Sequence, residues 1–125
     1  MSEEQSEIIY KNVKKAVFIG PAKSGKSQIV NGLCRKHSAD TAYSPTTGVQ
    51  LFSFETNETI FQLWDTSGEK RFEAIVGPYL RDVSDIFIVF DCTDANTENL
   101  ISTYWEFAKH YNQNNAQVHF IFNKT

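Results

Sequence analysis

The sequence predicts an α/β fold built on a mostly parallel sheet with one antiparallel hairpin. Three patterns carry that expectation. Short apolar clusters that lack the in–out alternation of a one-sided strand occur at Val13, Ala16, Val17, Phe18 and Ile19 and again at Ile86–Phe90, as in strands covered on both faces. Apolar residues recur at helical spacing in two stretches, Ile29, Val30, Leu33 and Cys34 in one and Leu100, Tyr104, Phe107, Ala108 and Tyr111 in the other. Two β-rich runs, Val49–Phe54 and Thr59–Trp64, are joined by Glu55-Thr56-Asn57-Glu58, the pattern of a hairpin. Strands that alternate with helices fold as layers, with crossover helices packed on a largely parallel sheet.

Taken in order, residues 1–12 read as a flexible acidic arm, solvated through Glu3, Glu4 and Glu7, and residues 13–125 as the domain. The first strand ends in Gly20. Gly20–Ser27 breaks the pattern, and a helix follows that ends near Lys36-His37. Ala39–Thr47, with Pro45 and no periodicity, reads as a loop before the hairpin. Asp65–Arg71 is a glycine-containing loop, and Phe72–Arg81 holds a short helix made irregular by Gly77-Pro78. The strand Ile86–Phe90 runs into Asp91; the cap-prone Asp94-Ala95-Asn96-Thr97 opens the second long helix, and Val118–Phe122 is a last strand.

Composition bounds the function. At 125 residues the chain is one domain's worth, enough to bury roughly two-thirds of its unfolded surface, and its ten phenylalanines demand a core. The formal charge is −3, with no Lys/Arg run longer than two, which excludes the electrostatic footprint of a nucleic-acid binder. The longest apolar run, Ile86–Phe90, falls far short of the about 18 residues that span a bilayer, and the acidic start does not resemble a signal peptide; the expectation is a soluble, intracellular chain. Cys34 and Cys92 have no metal-ligand spacing, so each is expected to be a small buried hydrophobe. His110 and His119 have no catalytic spacing either, and Tyr104 and Trp105 read as core positions on a helix.

Gly20-Pro21-Ala22-Lys23-Ser24-Gly25-Lys26-Ser27 matches G-x-x-x-x-G-K-[S/T], after a buried strand and ahead of a helix, the context that motif requires. Glycines let backbone N–H groups turn onto phosphate oxygens, and the helix N-terminus adds its dipole. Lys26 would reach the terminal phosphates and Ser27 would ligate Mg²⁺. The plainer alternative is a flexible turn capping a helix. Asp65, at the end of the strand Gln62-Leu63-Trp64, sits where α/β proteins bind ligands and could hold Mg²⁺ through water; on its own such an Asp is more often a turn former.

The stretch Leu63-Trp64-Asp65-Thr66-Ser67-Gly68-Glu69-Lys70-Arg71-Phe72 is similar to switch II of the Ras-superfamily small GTPases, and its Trp-Asp-Thr-x-Gly-x-x-Arg-Phe form is closest to the Rab family. Thr46-Thr47-Gly48-Val49 resembles the Rab switch I motif, and Asp91-Cys92-Thr93-Asp94 the Asp-x-Thr after the fourth strand. Asn123-Lys124 resembles the start of the guanine-recognition motif Asn-Lys-x-Asp. The resemblance implies a P-loop NTPase G domain with helices on both faces of the sheet, and with the last strand and last two helices absent.

It also implies a set of roles. Ala22, Lys23, Ser24, Gly25, Lys26, Ser27, Gln28, Tyr43, Thr46, Gly68, Asn123 and Lys124 would bind GTP or GDP; Ser27, Thr46 and Asp65 would hold Mg²⁺; and Lys26, Gly68 and Glu69 would serve hydrolysis. The implied function is a Rab-like switch in membrane traffic, cytoplasmic and peripheral on endomembranes through a C-terminal lipidated segment not present here. Effectors, exchange factors and GTPase-activating proteins would meet the switch regions, with Val49, Leu51, Trp64 and Phe72 as a hydrophobic effector patch; packing alone would put about half of these in the core.

Departures from the family pattern sharpen the expectation. Glu69 stands where the family usually has the Gln that orients the attacking water, so intrinsic hydrolysis should be weak. Ala22 and Lys23 replace glycines; the Ala22 methyl narrows the space near the γ-phosphate, and Lys23 is expected to face solvent. The aromatic that packs on guanine should fall at Ser38 or Ala39 and is missing; His37 or Tyr43 could replace it, or His37 is a helix-end cation and Tyr43 an exposed loop residue. The Asp of the base motif would follow Thr125. These departures keep a second reading open, a catalytically impaired nucleotide-binding scaffold. The short sheet is expected to belong to a longer chain, or to be covered by a dimer or another partner.

Overall fold

Apolar side chains on both faces of strands Asn12–Ile19 and Asp85–Asp91 decide how the layers assemble. The computed structural model describes residues 12–37, 40–44, 48–68 and 73–123, without the side chains of residues 43, 44, 73 and 75. Strand β1 (Asn12–Ile19) is followed by α1 (Lys26–Arg35), β2 (Asp40–Ser44), β3 (Val49–Thr56), β4 (Thr59–Thr66) and the short α2 (Glu73–Val76). A 3₁₀ segment (Gly77–Asp82), β5 (Asp85–Asp91), α3 (Thr97–Tyr111) and β6 (Gln117–Asn123) complete it. Most of the acidic arm expected over residues 1–12 lies outside the described residues.

The six strands form one sheet in the order β2-β3-β4-β1-β5-β6. The β1–β4, β1–β5 and β5–β6 pairs are parallel, while β2–β3 and β3–β4 are antiparallel. Side chains of neighbouring strand residues point to opposite faces, so β1 serves two cores at once. Val17 and Ile19 join Ile86, Ile88 and Phe90 of β5 against Leu80 and Ala108, on the face of the 3₁₀ segment and α3. Ala16 and Phe18 join Val89 against Val30 and Cys34 of α1. Helices therefore lie on both faces. Val17, Ile86, Ile88, Val89 and Phe90 are wholly buried, each stabilising the fold by about 1.5–3 kcal/mol.

The expected loop at Ala39–Thr47 contains an edge strand instead. Asp40–Ser44 pairs residue by residue with Val49–Ser53. Residues 40–42 are exposed, so the backbone ladder, with no apolar pattern, holds β2 in place. The hairpin turn is tighter than the four residues expected. The ladder runs to Thr56 and Thr59, and Asn57 and Glu58 turn the chain with φ of 51° and 63°, the two left-handed residues of a type I′ turn.

Parallel pairing of β1, β4, β5 and β6 brings the C-terminal ends of all four strands to one edge of the sheet. That edge carries the glycine loop, Asp65–Gly68, Asp91–Asp94 and Asn123. At the opposite end, α1 leaves an apolar groove of about 310 Å³ lined by Leu33, His37, Phe54, Phe61, Phe87 and Ile121 among others. On the outer strand β6, Phe120 and Phe122 are 39% and 50% exposed. Trp105, expected in the core, is a surface residue tilted against Phe120 at 5.9 Å, whereas Tyr104 packs on the core as expected. Cys34 is buried, and burial pushes its thiol pKa up; Cys92, expected to be buried, is exposed on the loop after β5. No helix among the described residues is long and apolar enough to cross a membrane.

Candidate functional site

The glycine loop leaves β1 through Gly20, where a Cβ would lie 2.2 Å from the Val89 carbonyl oxygen and φ is +143°. Only glycine fits there. The chain then turns through Lys23, which takes a left-handed φ of 66° despite its side chain, and Gly25, at 99°, caps α1. No side chain caps the start of α1, which leaves its first N–H groups directed at the loop's concave side. Lys26 is buried beneath this turn. Its Nζ donates to the carbonyls of Gly20 at 2.9 Å and Pro21 at 2.6 Å.

Beside the loop lies an open cleft of about 530 Å³, lined by Ala22, Lys23, Gly25, Lys26, Ser27, Gln28, Thr66, Ser67 and Gly68. It brings the expected phosphate residues and Gly68 to one place. A second cavity, about 290 Å³, opens on the other side of the loop against Asp91, Asp94 and Thr97. Two carboxylates disfavour an anion there, whereas Lys26 and the N-terminus of α1 make the first cleft the better fit for one.

Asp65, the last residue but one of β4, lies against Ser27 and is 6% exposed. Its Oδ2 accepts a 2.6 Å hydrogen bond from the Ser27 hydroxyl. Its Oδ1 is buried without a hydrogen-bond partner. Burial pushes the carboxyl pKa up, while the Ser27 hydrogen bond and the Lys26 charge pull it down. An orphaned carboxylate oxygen next to a hydroxyl fits a hard divalent cation that takes its remaining ligands from phosphate and water. No group of three or more His, Cys, Asp and Glu occurs among the described residues that could hold such an ion without them.

Three further attachments surround the cleft. Gly68 lies against the loop, since a Cβ on it would fall 2.1 Å from the Ala22 nitrogen. The Asn123 side-chain amide donates to the Ser24 carbonyl at 3.2 Å, tying the start of the expected base motif to the phosphate loop. The Thr66 hydroxyl donates to the Phe18 carbonyl at 2.7 Å. Sequence reasoning gave Thr66 no role of its own; its signal was its place after Asp65 in the Trp-Asp-Thr-x-Gly stretch.

Other expected residues separate from the cleft. His37 stacks on Phe54 at 4.5 Å and lines the groove at the far end of the sheet, so it does not replace the missing aromatic on a base. The backbone of Tyr43 lies in β2 opposite Gln50, and its side chain is outside the described set. Thr46, Glu69 and Lys124 also lie outside the described residues, as do Ser38 and Ala39. In the hydrophobic patch, Val49 is core and Trp64 packs against it, tilted on Tyr79 at 6.4 Å; Leu51 is half-buried and Phe72 is outside the described residues. His119 pairs with Asp85 at 2.9 Å and stacks on Phe87, a structural contact remote from the cleft.

One comparison with known families bears on this arrangement. The family model described as Ras of Complex, Roc, domain of DAPkinase matches residues 15–125, a span that takes in the glycine loop, Asp65 and Asn123.

Proposed function

The chain belongs to the Roc family, a class of Ras-like GTPase domains, and from that premise we propose that it is a Mg²⁺-dependent guanine-nucleotide switch with slow GTP hydrolysis. The observation that carries the reading is Asp65: a buried carboxylate with one oxygen unpartnered, bonded through the other to Ser27, which lines the cleft with Lys26. Roc domains bind guanine nucleotide, generally with Mg²⁺, and meet regulatory or effector partners.

In this reading the loop N–H groups and Lys26 cradle the β- and γ-phosphates. To do so, Lys26 exchanges its bonds to the Gly20 and Pro21 carbonyls for phosphate oxygens. Ser27, Thr46 and Asp65 would hold Mg²⁺, which when bound would supply positive charge against the phosphate oxygens during phosphoryl transfer to water. Gly68 donates its backbone N–H to the γ-phosphate, and loss of that phosphate releases its segment. Asn123 and Lys124 flank the guanine, and Tyr43 is the remaining aromatic candidate near it.

Hydrolysis is slow because Glu69 carries a charge where an amide would both orient water and donate to the phosphate. Single-turnover hydrolysis of bound GTP tests this. Glu69→Gln is expected to accelerate it; a wild-type rate that this substitution lowers overturns the reading. No hydrolysis by either protein, with GTP retained, favours the scaffold reading, which Glu69 and Ala22 support. Mass spectrometry of the nucleotide released from purified protein separates guanine from adenine.

A Rab-like role in membrane traffic rests on the wording of two motifs, Trp64–Phe72 and Thr46–Val49. Its test is co-sedimentation of the GTP-loaded protein with vesicles in the presence and absence of any lipidated extension.

A further inference from the structure

Four consecutive residues at the end of β4 are each attached to a different segment. Asp65 accepts from Ser27 of α1, and the Thr66 hydroxyl donates to the Phe18 carbonyl of β1 at 2.7 Å. The Ser67 N–H donates to the Gly48 carbonyl, just before β3, at 2.8 Å, and Gly68 lies against Ala22 of the phosphate loop. Ser27, Gly48 and Ala22 all belong to segments that the nucleotide reading makes responsive to phosphate or Mg²⁺. Phe18 does not. It is 2% exposed in the central strand, in register with Asp65 on one side and Phe87 on the other.

The β1–β4 ladder ends at the Phe18–Asp65 pair, one residue before Thr66. The Thr66 side chain, on a residue 4% exposed, therefore extends the attachment of β4 one step beyond its last parallel pair. We propose that Thr66 is the hinge of the switch and the positioning residue for Asp65, holding the end of β4 on β1 while Ser67 and Gly68 move with the nucleotide. Adjacent strand residues face opposite sides of the sheet, so a bond that fixes Thr66 also sets the peptide plane that aims Asp65 at Ser27. The hydroxyl acts on Mg²⁺ only through Asp65. Partners of this kind that orient a ligand typically change metal affinity by 10–100-fold when removed.

The test measures how Mg²⁺ slows GDP release. Thr66→Val, which keeps the shape and removes the hydroxyl, is expected to raise the Mg²⁺ concentration at half-effect by roughly tenfold, and Thr66→Ser to restore the wild-type value. A Thr66→Val protein with a lowered melting temperature and an unchanged Mg²⁺ midpoint overturns the proposal, because a purely structural role predicts that result. If Thr66→Val does not fold, amide exchange in the wild-type chain decides. Removing Mg²⁺·GDP should expose the amides of residues 67 and 68 and leave those of residues 64–66 protected; exposure that passes through residue 66 overturns the hinge. The proposal rests on the nucleotide-switch reading. Absence of guanine-nucleotide binding by the wild type overturns both, whereas binding with an unchanged Mg²⁺ midpoint in Thr66→Val overturns the hinge alone.

Discussion

The Ser27 hydroxyl donates to Asp65 Oδ2 at 2.6 Å, joining the first turn of α1 to the end of β4 across 38 positions of sequence. That bond places two hard oxygen donors side by side beneath the phosphate loop. It also leaves the second Asp65 oxygen buried and unpartnered. A group in that state is costly in the protein alone and useful once a cation arrives.

Asp65→Asn should therefore stabilise the metal-free protein at neutral pH. Burial raises the folded pKa of Asp65 above the unfolded value of about 3.9. Its favourable contribution is present below that unfolded value and is lost as pH rises through the folded one. The melting temperature of Asp65→Asn should exceed that of the wild type at pH about 7, and the gap should close as pH falls toward about 4. Added Mg²⁺ with GDP should raise the wild-type value more than the variant's, since the ion favours the ionised carboxylate. A gap that widens on acidification would contradict the assignment.

Lys26→Ala removes the ammonium that, among the described residues, is buried under the loop. A loss of roughly 2 kcal/mol or more in nucleotide affinity, about 30-fold, is expected from titration with a fluorescent guanine nucleotide. Lys26→Arg should not rescue it, because a planar fork cannot occupy the space of a point charge held between two carbonyls.

Gly20→Ala places a methyl group 2.2 Å from the Val89 carbonyl oxygen at a φ of +143°. Both the collision and the backbone are unfavourable, so a destabilisation of roughly 3–5 kcal/mol is expected in chemical unfolding. A cost below about 1 kcal/mol would mean that the loop can leave β5 freely.

Lys23→Gly acts in the opposite direction. The left-handed conformation costs a residue with a Cβ about 1–2 kcal/mol, and glycine removes that strain while adding freedom to the unfolded chain. A net rise of about 2–6 °C in melting temperature is expected. Nucleotide affinity should hold within a few-fold if Lys23 faces solvent; a larger fall would place its charge on the phosphates.

Much of the fold was legible because its strongest signals are local. Ala16 to Ile19 are apolar without alternation and prove to be buried on both faces, and Gly20–Ser27 forms the loop its pattern describes. β2 was illegible for a physical reason: an edge strand is specified by the ladder of its neighbour, and Asp40 to Ala42 bury no face of their own. Cys92 and Trp105 misled because residue type sets only an average burial, and both sit where packing ends.

The sequence by itself determined the identity of the chemical groups and their order: a phosphate loop ending in Lys26 and Ser27, an acid at Asp65, and an amide at Asn123. It could do so because those roles depend on spacing within short segments. The tertiary structure alone decided which groups meet. Ser27 reaches Asp65, Asn123 reaches Ser24 and Thr66 reaches Phe18 only because β1, β4, β5 and β6 run parallel and deliver their ends to one edge. The same geometry took His37 out of the site, since a helix that starts at the phosphate loop must finish at the opposite end of the sheet.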